Sequence, residues 1–150
     1  MKVTHPIPNG SDDTHTLQAD LDSGACVRLN DNYKITAPLV VKAPARLEGD
    51  PGASILYRGG TTDRPAVTCV GQGAKVSQLT IWCQYHCRGV RFEKCWYDHI
   101  AAGLRIYDAR QLTLDLEDCY NGNMTDVRLF NSRGPAFRAR HSNSVFWELS

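Results

Sequence analysis

Short strand-like triplets with an apolar–polar–apolar pattern recur along this chain about every two dozen residues, in two interleaved columns. The first column holds residues 33–35, 55–57, 79–81, 104–106 and 127–129. The second holds residues 45–47, 67–69, 90–92, 112–114 and 137–139. Strands this short cannot enclose a core alone, but they can when they stack on their own repeats. A fixed period in this range therefore predicts a solenoid.

The length of the repeat indicates which solenoid to expect. Coils of 22 to 25 residues fit a three-sided parallel β-helix better than the left-handed kind, whose coil has about 18 residues. We predict an all-β fold of five to six coils in the 150 residues. Because strand side chains alternate between the two faces, Val90 and Phe92 should point inward and Arg91 outward. The triplets with Arg105, Arg128 and Arg138 follow the same pattern, so these arginines form a predicted basic stripe.

Charge and hydropathy exclude several classes of protein. The formal net charge is +1, so no global field attracts nucleic acid or an acidic membrane. The chain contains no apolar run long enough to span a bilayer. Its start lacks the apolar stretch of a secretory signal, so we expect a complete chain to fold in a cytoplasm. We expect no nucleic-acid or membrane partner.

The beginning of the chain differs from the repeats. Residues 1–11 are polar and contain two prolines, which predicts an extended arm. Leu17 and Leu21 are four residues apart and share one face of a helix. We predict a short helix over about 13–22 that covers the open end of the strand stack, within a β-helix domain of residues 12–150.

Six cysteines are many for a protein of the cytoplasm. Their spacing matches no known zinc motif, so we predict buried free thiols, without a metal or another cofactor. A disulfide framework remains an alternative because the count is even. A metal site remains another, built from the densest group of soft ligands: Cys83, His86, Cys87, Cys95 and His99.

Two stretches resemble one protein family. Residues 9–18 read NGSDDTHTLQ and resemble the "DG-x-x-DDT-x-x-LQ" opening of pectate-lyase-like right-handed β-helices. Residues 46–56 read RLEGDPGASIL and resemble the "L-x-G-x-G-x-x-S-x-I" second coil of that family. The family is common in bacteriophage tailspikes and polysaccharide-degrading enzymes. The resemblance implies a right-handed parallel β-helix with a capping helix, and it specifies the fold better than the chemistry.

Glycoside hydrolysis needs two carboxyl groups about 5–10 Å apart across a groove. Asp115 and Glu117 alternate on one strand and should point the same way, with Asp108 nearby and Arg105 as a base for lyase chemistry. These four are the catalytic candidates if the protein is an enzyme. The alternative is that the carboxylates pair with outward arginines, namely Arg105, Arg110 or Arg128. The tandem-aspartate and Gly-His-Gly signatures of the polygalacturonase branch are missing, so our main expectation is that no residue is catalytic.

Aromatic residues concentrate in the fourth and fifth coils. They suit stacking on sugar rings, contact with another subunit, or filling of the core. Outward arginines suit an acidic sugar or an acidic partner, or surface ion pairs. The candidate contact residues for a glycan or a partner are Trp82, Tyr85, Trp96, Tyr97, Arg91 and Arg128.

The sequence ends in an apolar strand with no helix after it. Such an end should be covered by other copies or by a larger assembly. The candidate docking residues are Val145, Phe146, Trp147 and Leu149. Phage β-helices that this chain resembles are usually trimers, so we expect a homotrimer.

Small size and missing catalytic signatures favour a structural role. We expect a non-catalytic bacteriophage virion protein, a capsid decoration protein or short spike, assembled in the host cytoplasm. Its expected partners are copies of itself, capsid or tail proteins, and a surface glycan. The alternative is a polysaccharide lyase or glycoside hydrolase acting on acidic glycans. A third hypothesis is a non-catalytic glycan-binding module that uses the aromatic residues.

Overall fold

The computed structural model describes residues 1–97, 99–142 and 146–149, without the side chains of His99 and of 146–149. The one helix in this part of the chain, α1, spans Thr14–Asp22. The strands are β1 Val3–Thr4, β2 Cys26–Leu29, β3 Asn32–Ile35, β4 Leu39–Lys42, β5 Arg46–Gly49, β6 Ser54–Tyr57, β7 Pro65–Val70, β8 Lys75–Trp82, β9 Arg88–Glu93, β10 His99–Tyr107, β11 Leu114–Glu117, β12 Asn123–Phe130, β13 Phe137–Arg140 and β14 Phe146–Leu149. No described helix is long and apolar enough to cross a membrane.

Strands pair with the equivalent strand one coil away rather than with their neighbours along the chain. A nine-stranded sheet runs in the order β1-β2-β5-β8-β10-β12-β14, and β3 and β6 join it beside the second half of β8. A five-stranded sheet runs in the order β4-β7-β9-β11-β13. All these pairs are parallel. The chain is therefore a parallel β-helix of about six turns, which confirms the predicted fold.

A residue with positive φ interrupts each long strand of the larger sheet at the same level. These residues are Gln78 (52°), Gly103 (60°) and Asp126 (50°), and the residues around them pair in register. They bend the strands, so the larger sheet contributes two sides of the coil. We call β2, β5 and the segments before the bend the first side. The second side is β3, β6 and the segments after the bend, and the third side is the five-stranded sheet.

Inward side chains of the three sides form one continuous core. On the second side Ile55, Ile81 and Ile106 stack in register with no exposed surface, and Leu129 is partly buried above them. Burying one such side chain contributes about 1.5–3 kcal/mol. The inward residues of the predicted alternation therefore stabilise the stacking of neighbouring coils.

The predicted columns were wrong in register at three steps. Ile55 pairs with Ile81 rather than with Leu79. Leu114, rather than residue 112, pairs with both Val90 and Phe137. The triplet 45–47 was also misplaced, because β5 belongs to the larger sheet while β4 lies below β7. A shift of two residues leaves the inward–outward pattern unchanged, so the pattern alone cannot detect it.

The N-terminal residues close the lower end of the stack. Leu17 and Leu21 of α1 are buried against the core. The observed bounds of α1 are close to the helix predicted over 13–22. The segment predicted as an arm lies along the first turn, where β1 pairs with β2. The hydroxyl of Tyr33 donates a hydrogen bond to the carbonyl of Pro6 at 2.7 Å.

Candidate functional site

The outward residues of the third side form an ion-pair network around Asp115. Strand register places Arg91 and Arg138 on either side of it. Arg138 donates from Nε to Oδ1 at 3.0 Å and from Nη2 to Oδ2 at 2.8 Å, and Arg91 Nη1 donates to Oδ2 at 3.1 Å. Burial raises the pKa of Asp115, but the hydrogen bonds and charge of Arg138 and the charge of Arg91 lower it by more. The carboxylate is therefore ionised, with both oxygens engaged.

Glu117 lies two residues further along β11 and is also paired. Its Oε1 lies 2.9 Å from His141 Nδ1, and this hydrogen bond is the main reason why the pKa of Glu117 is lowered. Its Oε2 lies 2.6 Å from Arg140 Nε, an ion pair without hydrogen-bond alignment. Glycoside hydrolysis requires one carboxyl group that holds a proton near neutral pH. Two carboxyl groups with lowered pKa values do not meet that requirement.

The other two catalytic candidates lie elsewhere. Asp108 follows the end of β10, in the corner between the second and third sides, and accepts a hydrogen bond from Asn131 Nδ2 at 3.3 Å. Arg105 lies on the second side, with Nη2 3.4 Å from Asp126 Oδ2. The structure therefore brings Asp115 and Glu117 together but separates them from Asp108 and Arg105.

The carboxylates of β11 pair with arginines, but not with those proposed from the sequence. Arg105 and Arg128 both pair with Asp126, and Arg110 lies 3.4 Å from Asp63. The predicted single stripe of outward arginines was wrong as well. Arg91 and Arg138 project from the third side, whereas Arg105 and Arg128 project from the second. The corners between the sides separate the two pairs.

The second side carries a stack of aromatic rings on its outer surface. Trp82 and Tyr107 stack with ring centroids 4.1 Å apart and planes at 19°, and Tyr107 and Phe130 stack at 4.4 Å and 8°. Leu56 pairs in register below Trp82. We call Leu56, Trp82, Tyr107 and Phe130 the outer apolar column. Beside it runs a polar column of Asn32, Ser54, Thr80, Arg105 and Arg128.

The contact residues predicted from the sequence include Trp82 and Arg128 but omit Tyr107 and Phe130. A sequence signal for them exists. Residues 82, 107 and 130 each follow directly after the last residue of a first-column triplet, at steps of 25 and 23. Aromatic residues at equivalent outward positions of successive coils must stack, because neighbouring parallel strands are about 4.8 Å apart.

A notch of about 440 Å³ opens at the lower end of the outer apolar column. Leu56 and Trp82 give it apolar walls, and Lys34 gives it a positive charge. Ser54 Oγ donates to Asn32 Oδ1 at 2.7 Å on the polar flank. This combination of apolar walls with a few oriented polar groups is typical of small-ligand sites.

The remaining contact candidates are scattered over the surface. The Arg133 guanidinium lies 3.8 Å from the ring centroid of Tyr85 in the corner after β8. Trp96 and Tyr97 occupy the corner after β9, where Trp96 Nε1 donates to the carbonyl of Asp118 at 2.7 Å. Tyr97 is 68% exposed. Arg91 on the third side and Trp96 and Tyr97 in the corner after it therefore lie apart from Trp82 on the second side.

The predicted docking end lies largely outside the described residues. Val145 is not described. The backbones of Phe146, Trp147 and Leu149 belong to β14, which pairs with β12, but their side chains lie outside the described part of the chain.

The six cysteines are all buried thiols, as the sequence predicts. Burial raises the pKa of the Cys69 thiol. A different group, Glu117, Asp118 and His141, holds its potential ligand atoms within 4.8 Å of one another. Because Arg140 already compensates the charge of Glu117, we assign these three residues to the ion-pair network around β11 rather than to a metal site.

No family model matches this chain, and no curated protein matches it by sequence. The solved structures that are similar to this chain include the following three. A candidate glycosyl hydrolase from Parabacteroides merdae gives a TM-score of 0.75 at 11% identity, covering 97% of this chain and 93% of that one. The Dettilon tailspike protein gives a TM-score of 0.63 at 15% identity, and the match covers 96% of this chain and 38% of the tailspike chain. The A-module of mannuronan C-5 epimerase AlgE4 from Azotobacter vinelandii gives a TM-score of 0.58 at 14% identity. That match covers 88% of this chain and 50% of the epimerase chain.

At these identities the similarity shows the fold and nothing more specific. The expected likeness to pectate-lyase-like β-helices is confirmed at that level. The chain spans half of the epimerase module and less than half of the tailspike, whereas it covers nearly all of the Parabacteroides protein.

Proposed function

We propose that this protein is a non-catalytic structural β-helix of a bacteriophage particle, either a capsid decoration protein or a short spike. In this proposal it assembles in the host cytoplasm and resides in the virion. The observation that carries the non-catalytic part is the state of Asp115 and Glu117, whose carboxylates are held ionised by arginines and His141. The tailspike among the similar structures supports the phage setting.

The same proposal includes a homotrimer that contacts capsid or tail proteins. Within the described residues, β13 pairs with β11 alone, so it is an edge strand of the five-stranded sheet. Phe137 on this strand is only partly buried. Association with other copies is a common way to cover such an edge.

Two measurements test the proposal. Sedimentation equilibrium of the purified chain at micromolar concentration should give three times the 16.7 kDa mass of one chain. Incubation with polygalacturonate and with alginate should release no reducing ends and no unsaturated uronate ends. A monomer in the first experiment contradicts the assembly. In the second, turnover that Asp115→Asn or Glu117→Gln abolishes contradicts the non-catalytic role.

One observation favours a second candidate, a polysaccharide lyase or glycoside hydrolase acting on acidic glycans. The candidate glycosyl hydrolase from Parabacteroides merdae matches this chain over nearly the full length of both. A β-helix of this size is therefore compatible with that description. The polysaccharide panel described above distinguishes the two candidates.

A further inference from the structure

We propose that the second side binds an acidic sugar, with one pyranose ring in the notch below Trp82 and its negative charge beside Lys34. This site lies on a different side of the coil from Asp115 and Glu117. It is independent of the virion role, because a free protein with the same surface would bind the same ligand.

The shape of the notch fits one ring. Tyr107 covers one face of the Trp82 indole at a centroid distance of 4.1 Å. The neighbour in the other direction along the column is Leu56, which is shorter and has no ring. Trp82 therefore extends beyond Leu56, and both line the notch of about 440 Å³. A flat apolar surface of this kind suits the C–H face of a pyranose.

The charge around the notch selects an anion. Lys34 lines it, and none of its described lining residues is a carboxylate. Lys34 Nζ donates one hydrogen bond, to the carbonyl of Gly10 at 2.9 Å, and an ammonium group has three donors. Lys34 also lines an adjoining cleft with Arg58, which adds a second positive charge.

Polar groups suited to sugar hydroxyls flank the same notch. Ser54 Oγ donates to Asn32 Oδ1, which orients the Asn32 amide beside the apolar wall. Above the notch the polar column continues with Thr80, Arg105 and Arg128. The two arginines share a single carboxylate, Asp126, so the column remains positive. Further acidic residues of an oligosaccharide would therefore follow the columns upward.

Titration of the full chain with defined oligosaccharides tests the site. The probes are hexagalacturonate, a sulfated chondroitin hexasaccharide and neutral maltohexaose, with binding followed by calorimetry and by Trp indole NMR signals. We expect an anionic hexasaccharide to bind at least about tenfold more tightly than maltohexaose. Which anion binds better identifies the charged group as carboxylate or sulfate.

Paired variants locate the binding. Trp82→Leu and Lys34→Gln should each weaken binding about tenfold. The matched controls, Trp96→Leu in a corner and Lys75→Gln on the first side, should change it by less than about twofold. If Trp82→Leu disturbs the ring stack, Lys34→Gln still tests the site, because it changes only an outward side chain.

Three results overturn the proposal: no binding of either anion by the wild type, equal affinity for maltohexaose, or equal losses in site and control variants. If Trp82→Leu and Lys34→Gln instead dissociate the oligomer and leave sugar binding unchanged, the second side is a subunit contact. That result also overturns the proposal.

Discussion

The side-chain amide of Gln18 makes the two hydrogen bonds to Val40 that a neighbouring strand would make. Nε2 donates to the carbonyl oxygen of Val40 at 2.9 Å, and Oε1 accepts the Val40 backbone N–H at 2.9 Å. One side chain of α1 thus satisfies the lower edge of β4, which would otherwise present unpaired backbone groups. The helix therefore closes the third side by hydrogen bonding as well as by its buried leucines.

Replacing Gln18 by Ala should lower the free energy of unfolding by about 1–3 kcal/mol, because it leaves two backbone groups of Val40 without a partner. Gln18→Glu should also destabilise the protein, because a carboxylate oxygen would replace the amide that donates to the Val40 carbonyl and to Asp22. Urea unfolding measures both. The control Gln72→Ala changes an exposed turn residue and should stay within about 0.5 kcal/mol. Equal losses for Gln18→Ala and the control would contradict the role of Gln18.

Asp115→Asn should lower the free energy of unfolding at neutral pH by about 1–3 kcal/mol, since the amide cannot replace the charge-assisted bonds to Arg138 and Arg91. Urea unfolding measures the loss. Asp63→Asn is the matched control, because its pair with Arg110 is exposed and should contribute under about 1 kcal/mol. If both substitutions have the same small effect, the network around Asp115 contributes little to stability.

The contribution of Asp115 should depend on pH in a defined direction. Its pKa in the folded protein is lower than its ordinary value of 3.8, so folding favours the ionised form. The stabilisation is therefore complete above the ordinary value and is lost as the pH falls below it towards the folded pKa. The difference in unfolding free energy between wild type and Asp115→Asn should shrink over that acidic window. A difference that stays constant would contradict the lowered pKa.

Tyr107→Leu removes the middle ring of the outer stack and both ring contacts. We expect a loss of about 1–3 kcal/mol in unfolding free energy, since each aromatic pair contributes about 0.5–1.5 kcal/mol beyond its buried area. The near-ultraviolet circular dichroism should change as well. Tyr97→Leu, at a 68% exposed position, should leave both observables nearly unchanged. An unaltered spectrum for Tyr107→Leu would show that the rings do not stack in solution.

The six cysteines should be unreactive in the folded protein. Each is buried, which keeps reagents away, and burial raises the pKa values of Cys26 and Cys69, so these two form little reactive thiolate. A chromogenic disulfide reagent should react slowly without denaturant and should titrate all six thiols in concentrated urea. Rapid reaction of one thiol in the native state would identify a cysteine that is accessible in solution.

The sequence predicts the fold well because its main signal is local. Alternation places Val90 and Phe92 inside and Arg91 outside whatever lies in the next coil. It does not determine which residue lies in the next coil. Ile55 pairs with Ile81 because this coil has 26 residues rather than the 24 that the repeat suggests, and a two-residue shift is invisible in the pattern.

The candidate site depends on this second kind of information. The sequence predicts that Asp115 points outward. Only the stacking of coils places Arg91 and Arg138 on either side of it, and these contacts show that the catalytic candidate is part of an ion-pair network. The same stacking places Trp82 above Leu56 and opens the notch between them and Lys34. By itself, the sequence determined the β-helix, its capping helix and the side of the strand on which each residue lies. Tertiary structure decided the neighbours, because these depend on the lengths of corners that carry no periodic signal.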